Sequence, residues 1–197
     1  MARVPYLSRE DAATAEAEAA WQRLQTERPL PTGNIFRLTA HAPAILDASL
    51  DYGAALRHGT DIDSKLRELA IVAVAHFTGV DYAFVHHSGP AVMHGVTPEQ
   101  LAAISTYETS DLFDEHERAV IRLAHESTVN VEISEETWAA VSSFLSDKEL
   151  VELVLNIAYY NNGARIMAAL RVDLEQPYID DPIGAFREDI ARAAPGG

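Results

Sequence analysis

From Ser64 to Thr78 the chain reads SKLRELAIVAVAHFT. Leu66, Leu69, Ala70, Ile71, Val72, Ala73 and Val74 leave almost no polar side, the pattern of a helix buried within a domain. Asp63 or Ser64 is placed to cap it, and Gly79 breaks it. A second helix is predicted over 80–94, with Pro90 as a kink and Gly95 as its end. The two form a helical hairpin around Phe77-Thr78, and the rest of the chain is organised about it.

The flanking elements follow from thinner apolar stripes and from capping residues. A helix over 9–27, capped by Ser8, has only Trp21 and Leu24 as an apolar edge and is expected at the periphery. The prolines at 29 and 31 end it. A short helical piece spans 34–39, and Pro43 opens a helix over 44–56, with Gly59 as a left-handed cap. Thr97-Pro98-Glu99-Gln100, Asp114, Ser134 and Ser146 mark four further helix starts: near 98, at 115–128, at 135–145 and at 147–172. Residues 176–182 read as extended, and a short helix is expected over 183–193. No strand alternation is found. The chain is all-α, with about eight helices joined by short loops. It divides into an arm and peripheral helix (1–33), a helical domain (34–175) and a C-terminal extension (176–197).

Composition narrows the function classes. The 197 residues suit one core, with 48% apolar side chains. Thirty acidic against 15 basic residues give a formal charge of −15. Nucleic acid and anionic membranes are therefore not expected partners. Cysteine is absent, which removes disulfides, thiolate metal sites and sulfur nucleophiles. No stretch resembles a signal peptide or a membrane span, so a cytoplasmic location is the expectation.

Chemistry enters with ionisable residues in core-like sequence. Glu68 lies nine residues before Phe77, and His87 lies nine after Thr78. At about 1.5 Å rise per residue, the hairpin sets both at similar height. A carboxylate beside an imidazole can transfer protons, because the histidine titrates near neutrality and the acid orients it. The same pair can also simply tie two helices together. His86 shares the neighbouring face with Tyr82. On the last helix Val151, Val154, Leu155, Ala158, Asn161 or Asn162, Arg165 and Ala169 follow helical spacing, and Asn161 and Arg165 can touch. They read equally as a site for a carbonyl or anionic oxygen and as a helix–helix network. His41, His116 and His125 read as capping or surface residues. No histidine spacing matches a metal motif, and adjacent His86 and His87 diverge on a helix, so no metal site is assigned.

Residues 67–104, RELAIVAVAHFTGVDYAFVHHSGPAVMHGVTPEQLAAI, resemble the carboxymuconolactone decarboxylase and alkylhydroperoxidase D-like family. Segments 34–46, 113–128 and 146–170 support the resemblance. It implies an alkylhydroperoxidase D-like helical bundle around the central hairpin. Its peroxidase members carry two cysteines, which the resemblance places at Val80 and Ala83. The family's relay acid falls on Glu68 and its histidine on His87. Thiol peroxidase activity is therefore not expected. The resemblance is to the cysteine-free branch, implying a homo-oligomer (trimer or hexamer) acting on a small molecule. The expectation is a cofactor-independent decarboxylase, lyase or isomerase. Glu68 and His87 are its catalytic candidates, and Tyr82, His86, Asn161 and Arg165 its substrate-binding candidates. A non-catalytic oligomeric scaffold is the first alternative. The second is a metal-dependent oxygenase using several of His58, His86, His87 and His94.

Overall fold

The computed structural model describes residues 1–27 and 33–181. Ten α-helices are found among them: α1 (Ala15–Glu27), α2 (Asn34–Thr39), α3 (Pro43–His58), α4 (Ser64–Thr78), α5 (Asp81–Met93), α6 (Pro98–Ala102), α7 (Glu115–Val129), α8 (Glu135–Ser142), α9 (Asp147–Leu170) and α10 (Gln176–Asp180). The all-α reading holds, and the helix not expected from the sequence is the short α10.

The centre of the fold is α4, which packs against α5, α7 and α9. Leu69, Ile71, Val72 and Val74 are at most 2% exposed. Burying each such side chain contributes about 1.5–3 kcal/mol before conformational entropy is counted. Asp63 holds the N-terminus of α4 by accepting from the Lys65 and Leu66 N–H groups. At the other end Gly79 takes a left-handed conformation, φ 67°, which turns the chain directly into α5. The main core gathers Val120, Ile121 and Leu123 of α7 with Leu153 and Ile157 of α9 around this helix. A smaller core joins Trp21 and Leu24 of α1 to Leu46 and Leu50 of α3.

Thr97, Asp114 and Ser146 each form a capping box, with Gln100, Glu117 and Glu149 respectively. Ser134 caps α8 through the Thr137 N–H.

Three expectations change. The first helix does not begin at residue 9; a 3-10 turn over Arg9–Asp11 precedes α1. Gly59 ends α3 at φ −112°, outside the left-handed region. Residues 176–180 are helical rather than extended, with Pro177 in the first turn, where its missing N–H costs nothing. The N-terminal arm folds back on its own chain: the Arg3 N–H donates to the Leu170 carbonyl, and the terminal amine lies 2.8 Å from Asp173. The short helix expected over 183–193 lies outside the described residues. Among the described residues no helix is long and apolar enough to cross a membrane.

Candidate functional site

The hairpin sets Glu68 of α4 beside His87 of α5, with His87 Nδ1 3.2 Å from Glu68 Oε2. The glutamate side chain is 5% exposed and the imidazole 23%. The other carboxylate oxygen lies 3.6 Å from Nη2 of Arg67, itself buried. Burial works to raise the Glu68 carboxyl. The hydrogen bond from His87, with the charges of His87, Arg67 and His94, outweighs it and holds the group below its ordinary range. An ionised carboxylate can only accept, so the imidazole proton sits on Nδ1 and Nε2 is left to give or take a proton. Tyr160 of α9 meets the imidazole edge-on, ring centroids 4.7 Å apart. Val80, where the resemblance puts one thiol, precedes α5 as its N-cap residue, and Ala83 is buried one turn before His87.

His86 turns to a second acid, one that the sequence reading missed. Its Nε2 is 2.8 Å from Oε2 of Glu175, and the Tyr82 hydroxyl donates to Oε1 at 2.8 Å. The Asn34 backbone N–H donates to that same oxygen. The His86 ring lies between Tyr82, stacked at 4.3 Å, and Tyr178 at 4.1 Å. Gly33 allows this closure, because a Cβ there would come within 3.0 Å of the Tyr82 oxygen. Burial works to raise the Glu175 carboxyl, but its hydrogen bonds from His86 and Asn34 leave it lowered. Burial, with the nearby Glu175 charge, pushes the Tyr82 hydroxyl well above its ordinary value. The signal that could have identified Glu175 is weak: one acid in a loop, 89 residues from its partner.

Asn161 and Arg165 do touch: Arg165 Nη1 donates to Asn161 Oδ1 at 2.7 Å. The Asn161 amide donates to Thr128 Oγ1 of α7 at 3.0 Å. Among the described residues no hydrogen bond or ion pair joins either to Glu68 or His87. The sequence-predicted residues thus fall into three groups: Glu68 with His87, Tyr82 with His86, and Asn161 with Arg165.

Two buried polar groups were not singled out in sequence. Asn156 of α9 is 1% exposed with neither amide atom hydrogen-bonded, and Nε of Arg67 is likewise unpartnered among the described residues. An unmet buried polar group costs about 1–3 kcal/mol.

Other histidines have packing roles. His125 stacks on Phe77, centroids 3.8 Å apart, and lies 3.2 Å from the Tyr107 hydroxyl. It is therefore half-buried rather than a surface group. His116 stacks on Phe144. No cluster of three or more potential metal ligands occurs among the described residues, so His58, His86, His87 and His94 do not assemble one. An open depression lined by Lys65, Gln100, Asp111 and Glu117 includes neither Glu68 nor His87.

Comparison with known proteins fits this architecture. Residues 43–126 match the model of the carboxymuconolactone decarboxylase family. No curated protein sequence matches the chain. Among solved structures, a cysteine-to-alanine variant of the debrominase Bmp8 in complex with 2,3,4-tribromopyrrole is 18% identical. It superposes with a TM-score of 0.76 over 96% of this chain and 100% of its own. The alkylhydroperoxidase AhpD core of an uncharacterized peroxidase-related protein from Ralstonia eutropha JMP134 is 17% identical, with a TM-score of 0.76 over 92% of this chain and 96% of its own. A peroxidase-related protein from Silicibacter sp. TM1040 is 19% identical, with a TM-score of 0.73 over 89% and 92%. At these identities the likeness is one of fold. Residues 43–126 thus match the carboxymuconolactone decarboxylase family model, and the chain has an AhpD-like all-helical fold without cysteine.

Proposed function

We propose that the protein is a general acid/base enzyme of the decarboxylase, lyase or isomerase type, acting on a small molecule that bears a carboxylate or a lactone. The observation that carries this reading is the buried Glu68–His87 contact at 3.2 Å across the central hairpin. Glu68 holds the imidazole tautomer, and His87 Nε2 takes a proton from substrate or returns one. Decarboxylation needs such a group, because the carbanion left when CO2 departs must be protonated. The family segment supports the reaction class. The Bmp8 complex with 2,3,4-tribromopyrrole supports a small-molecule substrate. Thiol chemistry is outside this reading, because the chain has no cysteine.

In this reading the enzyme is a homo-oligomer. Val151, Val154 and Leu155 form an apolar face on α9 and are 58%, 41% and 44% exposed in the single chain. Such a face calls for a covering partner. Light scattering on the purified chain should return a multimer mass, and a monomer would remove this part.

The test of the chemistry is an assay of the full chain against carboxylated lactones and aromatic acids, following CO2 release and ultraviolet absorbance. His87→Asn and Glu68→Gln should fold, as judged by circular dichroism, and lose turnover. Full activity in both variants would sink the assignment. Unchanged turnover with a lowered melting temperature would identify the pair as a helix clamp.

A further inference from the structure

Asn156 and Arg67 have no part in the proton-transfer step, yet they carry the three buried side-chain atoms that lack a partner among the described residues: Asn156 Nδ2, Asn156 Oδ1 and Arg67 Nε. Their surroundings place them beside the Glu68–His87 pair. One turn after Asn156 on the same face of α9 stands Tyr160, whose ring meets His87. One turn before it stands Glu152, which accepts from the Asp61 and Ile62 N–H groups at the start of α4. Asn156 therefore lies on the strip of α9 between the start of α4 and the imidazole, roughly 6 Å along the axis from Tyr160. Arg67 is the neighbour of Glu68 on α4, and its Nη2 is 3.6 Å from that carboxylate.

We propose that Asn156 and Arg67 form the polar end of the substrate site and recognise a small carboxylate with a hydroxyl on the adjacent carbon. This rests on the acid/base reading, in which Glu68 and His87 are the reacting end. The argument is one of matched donors and acceptors. Arg67 Nε–H and Asn156 Nδ2–H both donate, and a carboxylate accepts both. Asn156 Oδ1 accepts, and only a ligand with its own donor meets it. A plain carboxylate leaves Oδ1 unmet, and a plain alcohol leaves the donors competing for one oxygen. Glu68 touches the Arg67 guanidinium only at 3.6 Å, which leaves the Nε–H for the ligand's carboxylate and offsets part of the repulsion between the two anions. A buried water would bond the same atoms but would not tell one acid from another, and that difference separates the two explanations.

The experiment is isothermal titration calorimetry on the full chain with two matched pairs: lactate against propionate, and mandelate against phenylacetate. At least one hydroxy acid should bind about tenfold more tightly than its deoxy partner, equivalent to about 1.4 kcal/mol. Asn156→Leu should abolish that preference while melting no lower than the parent, because leucine removes an unpaired amide. Asn156→Ala serves in its place if the leucine variant does not fold. His87→Asn should keep the preference while losing turnover, so binding and chemistry are read separately. Equal binding within both pairs overturns the proposal. So does a preference unchanged in the Asn156 variant, which would assign the amide to water alone. If His87→Asn kept both the preference and the turnover, the acid/base role would fall and the recognition site would stand.

Discussion

His86 and His87 are neighbours on α5, and each meets a carboxylate: Glu175 at 2.8 Å and Glu68 at 3.2 Å. Their surroundings differ in what is left over. Around Glu175 the donors are used up, because Tyr82, Asn34 and His86 all converge on it. Two aromatic rings flank His86. That arrangement fastens the segment after α9 to α2 and α5. Around Glu68 the acid has one imidazole and a distant guanidinium, and among the described residues no hydrogen bond engages His87 Nε2. Chemistry needs a group with a proton to exchange. A clasp is better the more completely it is bonded.

The largest expected effect comes from exchanging the two histidines' fates. His87→Asn should lower kcat/KM by about 10²–10⁴-fold, the usual contribution of a general acid/base. His86→Asn should leave kcat/KM close to the parent and lower the melting temperature instead. Equal loss of turnover in both variants would erase the distinction drawn here. Steady-state kinetics with circular dichroism on each variant reads both outcomes.

Next in size is the clasp itself. Glu175→Ala removes the common acceptor of three hydrogen bonds, and its side chain is only 14% exposed. Urea denaturation should show a loss of about 3 kcal/mol. Hydrogen exchange should rise first over residues 173–180, while α4 stays protected. Unaltered exchange there would mean that the segment is held by something other than this acid.

Acid titration separates the two carboxylates further. Both folded-state pKa values are depressed below the unfolded value of 4.5. Each contribution is therefore complete above about pH 4.5 and is lost as pH falls through the depressed folded value. Glu68→Gln and Glu175→Gln should each flatten the fall in stability below that point. Melting temperatures between pH 3 and 6 provide the check, and a parental acid limb in either variant would remove that acid from the account.

The hairpin pair was legible in sequence because it is local. A helix apolar all round, a left-handed glycine and nine residues on each side suffice to bring Glu68 to His87. The rest depended on longer range or on polarity running against expectation. Glu175 reaches His86 across 89 residues, and no periodicity links a loop acid to a helix. On α9 the face carrying Val151, Val154 and Leu155 is exposed, whereas Glu152 and Asn156 are turned inward. The inward side also carries the apolar Leu153 and Ile157, so hydrophobicity alone does not choose between the two sides of this helix. Asn161 and Arg165 were legible as a pair because they are one turn apart. Their tie to Thr128 on α7 depends on tertiary packing.

The smallest expected effect sharpens the comparison most selectively. Tyr178 supplies one of the rings against His86, at 4.1 Å, and stands on the short helix α10. Tyr178→Leu keeps apolar bulk but removes the aromatic face. The ring pairing is worth about 0.5–1.5 kcal/mol beyond area, so the unfolding free energy from urea denaturation should fall by about that amount. Turnover should not move, because the Glu68–His87 contact is made by α4 and α5 alone. A change in the pH profile of kcat/KM in this variant would mean that the clasp reaches the reacting imidazole through the shared backbone of α5. Pro90 gives that backbone a weak point: it has no N–H to donate to the His86 carbonyl, so the helix is one bond short directly beside His87. An unchanged profile would show that two adjacent histidines on one imperfect helix are energetically separate.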